Sequence, residues 1–509
     1  MVDPSTACKN LPAGFDASQL PKRGDVGMLY CGPPCQGFSG MNQNRTNEDH
    51  KNALILTALS YVEVLRPAVF LLENVTGMLG FRLGAVRRAK GKVETGGYTM
   101  GVPRLIVRVL LDLGYQVGWS VLQVGAFGSC QSRRRVIFVA TLPHVKLPVF
   151  PEPMYLFRTD SVKMATYDPA LRSADDESVD IESDQDPLSA TPAHWRHDQE
   201  PNQGWNSPMT FVSSRWALFP PRFISDAISD FPGFDFKYPA DNEAIMQLTP
   251  AEKEALRYDS SLPVVDAVKF QKSQIRTIRP EKPEERKYLS LPKTEFQWQM
   301  RRNNRTHRGD WDALVSHPWY SISADVDGGH VEEEGEVPDF VCRSFKAVTV
   351  ERIHHIARDA RSHHRDHRDL PELLKPWALD VTKNATAAKH GGWKGLYGRM
   401  DWWGFSRTAT TETDPMCKTG TILHPEQNRT VTVREMARIQ TFPDDFVFDT
   451  DKIMVAEAYR QVGNAVPPAL ATAINRELFK SLRASPLGHL SEAKAREAMG
   501  VPPLDDPRT

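Results

Sequence analysis

Cys31-Gly32-Pro33-Pro34-Cys35-Gln36-Gly37-Phe38-Ser39 continues a short apolar run over residues 26–31. The run has the length of a strand, and a glycine followed by two prolines fixes a rigid loop directly behind it. Such a loop presents Cys35 beyond the strand's carboxyl end, where α/β sheets keep their functional groups. Downstream, residues 52–65 carry apolar positions at helical spacing, residues 68–72 form a compact strand ending at Glu73, and residues 103–113 read as a second helix. Residues 117–124 and 135–140 are two further strands separated by a polar turn. Strands alternating with helices of this length predict an α/β fold whose parallel sheet is covered on both faces.

Three groups at successive strand ends carry chemistry. Cys35 is placed as a nucleophile, which attacks as thiolate and so needs a proton acceptor or a lowered pKa; a structural cysteine is the alternative. Cys31 continues the strand and reads as core. The spacing of the two cysteines suits a metal, but no second Cys or Cys/His pair completes a ligand set. Glu73, in Glu73-Asn74-Val75, is a carboxylate that could share a proton with a ring nitrogen if kept partly dry, or a solvated strand end. Gln131-Ser132-Arg133-Arg134-Arg135 offers forked donors for carbonyl or phosphate oxygens, or a basic surface turn.

The 509 residues suffice for two or three domains, and 40% hydrophobic with 25% charged residues is globular composition. A net charge of −1 conceals an acidic stretch at 175–186 and Arg/His-rich stretches at 301–308 and 352–368. Local basic faces suffice for phosphate binding, because screening confines the useful field to about 10 Å. The six cysteines are scattered, the N-terminus lacks a basic segment followed by an apolar core, and no apolar run approaches the roughly 20 residues of a membrane span. The chain therefore reads as intracellular and reduced.

Beyond residue 156 the pattern changes. Residues 157–208 are acidic, Pro/Ser-rich and predicted to be a mostly disordered insertion. Residues 209–425 are irregular and rich in Trp, Pro, Arg and His. Regularity returns at 430–440, a helix opening with Thr432 and carrying Arg434, Glu435 and Arg438. A tight turn is expected over 461–468, then a helix over 469–482, with a flexible tail at 485–509. The expected domains are thus a partial core at 1–156, the insertion, an inserted module at 209–425, and the rest of the core at 426–484.

The segments Gly32-Pro-Pro-Cys-Gln-Gly-Phe-Ser-Gly40, Glu73-Asn-Val75, Gln131-Ser-Arg-Arg-Arg135, Arg429-Thr-Val-Thr-Val-Arg-Glu435 and Gln461-Val-Gly-Asn-Ala-Val-Pro467 resemble, in order and spacing, the blocks of the DNA cytosine-5 methyltransferases. Phe70-Leu-Leu-Glu-Asn74, Leu147-Pro-Val-Phe-Pro-Glu-Pro153 and Gly395-Leu-Tyr-Gly-Arg399 are similar to the eukaryotic maintenance branch. The resemblance covers most of residues 20–482. It implies a Rossmann-like S-adenosylmethionine-dependent methyltransferase sheet, with 209–425 as a target-recognition domain. Cys35 would then attack C6 of a flipped cytosine, and Glu73 would bind the exocyclic amine and N3. Arg133 and Arg135 would contact the cytosine O2 and the loop around it. Pro33, Asn464 and Val466 would touch S-adenosylmethionine, and Arg434 and Glu435 would brace the recognition module.

In that module Trp298, Arg301, Arg302, Trp393, Trp402 and Trp403 would serve phosphates, base edges or the emptied stack, a core role being equally open for most of the tryptophans. His354, His355, His363, His364 and His367 suggest zinc less simply than an exposed polar helix. No cysteine lies between Cys342 and Cys417, so no zinc cluster is expected there. The family's Phe-x-Gly-x-Gly block should precede Gly32 by many tens of residues, and none occurs in residues 1–31. The expectation is a sheet lacking its first strands, with a bare edge and a half-built donor pocket. Implied partners are double-stranded DNA, hemimethylated CpG included, in the nucleus, and no membrane. The alternatives are a DNA-binding scaffold without the donor site and a transfer-RNA cytosine-5 methyltransferase.

Overall fold

The computed structural model describes residues 20–35, 37–38, 50–87, 94–157, 219–236, 277–280, 282–301, 335–345, 347–359, 396–409, 411, 413–416, 420–488 and 492–498. The expected insertion at 157–208 lies outside these residues apart from Phe157, as do Arg302, Trp393, His363, His364, His367 and Cys417.

A four-stranded sheet forms the centre, with strands β1 (Met28–Cys31), β2 (Val69–Val75), β3 (Gln116–Gln123) and β4 (Arg134–Thr141) in the order β1-β2-β4-β3. β1 and β2 are parallel, Cys31 lying opposite Leu72. β4 runs antiparallel to both β2 and β3, which corrects the expectation of a wholly parallel sheet. The reason is local: residues 124–133 hold one 3-10 turn and no crossover helix, and a connection so short cannot return the chain to a parallel strand. The reversal also starts β4 at the edge where β1 and β2 end, so Val75 faces Arg135 and Glu73 faces Ile137.

Alternation along the strands divides the core in two. Phe70, Leu72, Val136, Phe138 and Ala140 face helices α1 (Leu54–Leu65) and α2 (Gly101–Asp112), which bury Ile55, Leu59, Val62, Ile106 and Leu110 against them. Leu71, Ile137 and Val139 face the other way, onto Leu470, Ala473 and Ile474. Full burial of one such side chain contributes roughly 1.5–3 kcal/mol. Among the described residues no helix is long and apolar enough to cross a membrane.

The second core gathers α3 (Ile224–Ile228), α4 (Glu295–Arg301), α5 (Ala347–His354), α6 (Val433–Ile439), α7 (Val455–Asn464) and α8 (Pro468–Arg483) with the irregular segments between them. α6 begins as its sequence predicts. Thr432 Oγ1 accepts from the Glu435 backbone N–H at 3.1 Å, while the Glu435 carboxylate accepts from the Thr432 N–H at 2.7 Å. The turn expected over 461–468 is corrected: Gln461–Asn464 are the last turn of α7, and the reversal is confined to Ala465–Pro467. Gly463 masked the helical pattern of Val455, Ala458, Tyr459 and Val462, which are all buried.

The inner face of α6 is charged. Arg429 donates to both oxygens of Glu435 at 2.7 Å, with neither side chain exposed. His424 lies beside them, its Nδ1 accepting from the N–H groups of Glu426 and Gln427 at 3.2 Å. Burial, reinforced by Arg429 and Arg399, holds its pKa well below the usual 6.5. Glu435 Oε1 is only 3.8 Å from its Nε2, but Arg429 already engages that carboxylate, so the ring stays neutral.

The unfolded chain therefore takes up a proton at His424 near pH 6.5 and the folded chain does not. The stability contribution is complete above that pH and falls as pH drops through it, by at most about 1.4 kcal/mol per pH unit. His424→Gln should flatten this segment of the profile. Urea melts of both proteins between pH 7.5 and 5.5 check the expectation, and parallel profiles would exclude a titrating His424.

Candidate active site

The loop that leaves β1 is pinned on both sides of Cys35. Ahead of it, the Asn74 Nδ2 donates to the Pro33 carbonyl at 3.2 Å, and Asn74 Oδ1 accepts from the Val75 N–H at 2.8 Å. Behind it, the Phe38 N–H donates to the Cys35 carbonyl at 3.0 Å. The Phe38 ring is buried edge-on to Phe81 with centroids 5.1 Å apart. A Cβ at Gly37 would meet the Asn52 side chain, which would have to move aside. Cys35 itself is half-buried and a free thiol.

Glu73 and Arg135 project from the same face of the sheet, one diagonal step apart in the β2–β4 register. Their side chains meet, Arg135 Nε to Glu73 Oε1, at 2.6 Å and are 10% and 13% exposed, so the pair is reachable from the cleft yet nearly dry. Glu73 Oε2 points to the Cys35 loop, 3.5 Å from where a Cβ on Gly32 would lie. Burial pulls both Arg133 and Arg135 downward while Glu73 and Cys35 oppose it; Arg133, at about 9, stays cationic at neutral pH. Burial and the nearby Glu73 push the Cys31 thiol up to about 12. That fits a core residue.

Arg133 and Arg135 part company. Arg133 is 2% exposed. It donates to the Ala409 carbonyl at 2.9 Å and to the Gly463 and Ala465 carbonyls at 3.0 Å. Arg133 thus holds the surrounding loops, as its expected contact with the loop around the base requires, while Arg135 is the one of the two ion-paired with Glu73. Asn464 and Val466 flank the clamped Ala465: Asn464 is exposed, and Val466 packs half-buried on the cluster containing Phe157 and Phe405. Pro33, half-buried, completes the set at the same end of the sheet.

Sequence reasoning missed three parts of this arrangement. Residues 406–409 lie along 130–133 as a strap, Ser406 N–H donating to Cys130 O, Ser132 N–H to Ser406 O, and Thr408 Oγ1 to Ser132 O, each at 2.8 Å. Asn74 is the second part, although its place beside Glu73 in the motif was a usable signal. The third is Gln440, whose Oε1 accepts from Gln131 Nε2 at 2.7 Å and whose own Nε2 donates to the carbonyls of Val462 and Ala465 at 3.0 Å.

Of the residues offered for nucleic-acid contact, Arg301 is interior and the described tryptophans are half-buried or exposed. Arg301 is buried, donates to Ser290 O at 2.7 Å and stacks over Tyr288 at 3.8 Å. His354 is half-buried on α5 and bonded on both ring nitrogens, to Phe236 O and to Asn428 Nδ2, which corrects the exposed polar helix. Trp298 is half-buried, and Trp402 donates to Glu426 at 2.7 Å. Trp403 is 37% exposed beside Phe223. Among the described residues no group of three or more His, Cys, Asp or Glu side chains is placed to hold a metal ion.

Comparison with known proteins agrees with this geometry. DNA (cytosine-5)-methyltransferase 1 of Mus musculus is 32% identical over 94% of this chain and 25% of its own length. The methyltransferase PliMCI of Paracentrotus lividus is 29% identical over 90% and 24%. DNA (cytosine-5)-methyltransferase 1A of Oryza sativa is 30% identical over 91% and 22%. The chain thus spans about a quarter of the length of the curated relatives it matches. The sequence pattern of the C-5 cytosine-specific DNA methylases matches residues 13–310 and 240–480. With its thiol loop, carboxylate and paired arginine gathered at one end of an α/β sheet, the chain belongs to the C-5 cytosine-specific DNA methylase family.

Proposed function

We propose that the chain methylates C5 of cytosine in double-stranded DNA, within CpG, through a covalent adduct on Cys35. The observation carrying this reading is the convergence of a loop-held free thiol and the Glu73–Arg135 pair at one end of the sheet. C5–C6 is inaccessible in stacked DNA, so the base must be extruded, at a cost of a few kcal/mol offset by pocket contacts. The Cys35 sulfur, its proton given up to solvent, then forms a bond to C6 as the C5–C6 double bond opens and its electron pair moves onto the ring. Glu73 holds the exocyclic amine and shares a proton at N3, and Arg135 donates to O2, so that negative charge does not accumulate. After methylation the C5 proton leaves to a base, the electron pair re-forms the C5–C6 double bond, and the sulfur departs.

The residues at 463–466 suit the methyl donor S-adenosylmethionine. The exposed Asn464 amide offers polar contacts, Val466 offers an apolar wall backed by aromatic rings, and Pro33 closes the side toward Cys35. When bound there, that cofactor supplies the electrophilic methyl group. Arg133 fixes the backbone on both sides of Asn464.

Duplex DNA as substrate places the protein in the nucleus, with hemimethylated CpG as the first duplex to try. The test offers labelled S-adenosylmethionine with hemimethylated CpG duplex, unmethylated duplex and transfer RNA. Label in duplex cytosine is expected. Label confined to transfer RNA would reassign the substrate, and duplex binding with no label would favour a scaffold.

A further inference from the structure

α6 is engaged by two different parts of the molecule. Its arginines tie it to the irregular module. Arg434 donates to Pro338 O at 3.0 Å and to Asp339 at 3.1 Å, and Arg438 donates to Ala227 O at 3.1 Å and to Asp230 at 2.6 Å. Its last turn is tied to the catalytic sheet and to the end of α7. Ser129 Oγ donates to Ile439 O at 2.8 Å, and Gln440 takes the bond from Gln131 while giving two of its own to Val462 O and Ala465 O. Gln131 in turn accepts from the Ala409 N–H at 3.2 Å through its other amide atom.

We infer that the Gln131–Gln440 amide pair is a positioning unit that couples the irregular module packed on α6 to the 463–466 loop. The inference rests on the proposed function, in which that loop faces the methyl donor. Three features carry it. Both glutamines are wholly buried, as are Arg434, Glu435 and Arg438, so the chain of contacts contains no solvated, compliant link. Gln440 uses its oxygen toward the sheet and both amide hydrogens toward the loop, so it is saturated and cannot rotate without orphaning buried groups. Finally, the Ala465 carbonyl accepts from both Gln440 Nε2 and Arg133 Nη2, each at 3.0 Å, so one peptide unit next to Asn464 feels both α6 and the β4 clamp. A displacement of α6 by the module therefore reaches Ala465 through the Gln440 amide, whose orientation Gln131 fixes.

Two substitutions cut the path at different points. Gln440→Glu keeps the acceptor for Gln131 but removes both donors to the loop. Gln131→Glu keeps the acceptor for Ala409 but removes the donor to Gln440. Ser129→Ala, at the same buried seam, removes an anchor of α6 without touching the pair and serves as the structural control.

The readout is hydrogen exchange of the amides at 463–466, in the presence and absence of a CpG duplex, with duplex affinity measured alongside. In the unsubstituted protein and in Ser129→Ala, duplex should slow that exchange by about fivefold or more, the scale of ordinary coupling between sites. In Gln440→Glu and Gln131→Glu the slowing should fall below about twofold, although duplex affinity changes by less than that. Equal slowing in all four proteins, or none in the unsubstituted one, would overturn the inference. Methyl transfer is scored separately: duplex-dependent protection without transfer would sink the proposed reaction and leave the coupling intact.

Discussion

Cys35→Ser is expected to reduce methyl transfer at least about a thousandfold while leaving duplex affinity within about twofold. Serine is nearly isosteric, but a hydroxyl is a far poorer nucleophile than sulfur at neutral pH, because so little of it is ionised. The arginines beside it do not make up the difference, since Arg133 is spent on backbone carbonyls and Arg135 on Glu73. The fold should not notice the change. The loop is held through the Pro33 carbonyl, the Cys35 carbonyl and the Phe38 ring, none of which involves the Cys35 side chain. Single-turnover transfer of labelled methyl, with anisotropy titration of the duplex and a thermal melt, separates the effects. Transfer within tenfold of the unsubstituted protein would remove Cys35 as nucleophile and return it to a structural role.

The largest loss of stability should come from Arg438→Met. Arg438 is wholly buried and donates to Asp230 at 2.6 Å and to Asp444 at 2.5 Å, and it lies over the Phe231 ring at 4.1 Å. Methionine keeps the stem and the ring contact but leaves two buried carboxylates short of their chief partner, which costs about 3–5 kcal/mol. Asp444 retains Tyr288 at 2.5 Å and Arg434 at 3.9 Å, while Asp230 retains Arg301 at 3.7 Å.

The loss should depend on pH in a definite direction. In the native protein burial alone would raise Asp444, but Arg438 and its neighbours outweigh it and hold the group below its usual 3.8. Its contribution is therefore present above the unfolded pKa and is lost as pH falls through the folded one. Asp230 stands above 3.8 because burial outweighs Arg438. Without Arg438 both groups rise, the folded state binds more protons than the unfolded, and stability falls as pH rises through the folded values. The deficit of the variant should accordingly be greater at pH 7.5 than at pH 5, as urea melts at both would show. A deficit below about 1 kcal/mol, independent of pH, would mean that the network relaxes or admits water.

What could be read in advance was what depends on neighbouring residues. The Gly-Pro-Pro loop behind an apolar run, the Thr432/Glu435 cap and the apolar repeats of α1, α2 and α8 are local patterns, and the elements appear where those patterns lie. Partnership across long separations was not legible. The direction of β4 is set by a missing crossover helix and not by the apolar composition of Val136–Ala140, which suits either direction. Arg301 and Arg133 have the composition of surface cations, and only tertiary contacts with Tyr288, Ala409 and Ala465 make them interior groups. The strap at 406–409 has no period of its own, because its hydrogen bonds go to a turn some 270 residues away in the chain.

β1 has one further consequence. Among the described residues it pairs with β2 alone, and Tyr30 on it is 75% exposed. Among the described residues the outer edge of these four uncharged residues, about 13 Å of backbone, is unpaired, the kind of edge to which a further strand adds. A net charge of −1 supplies little long-range repulsion to keep copies apart.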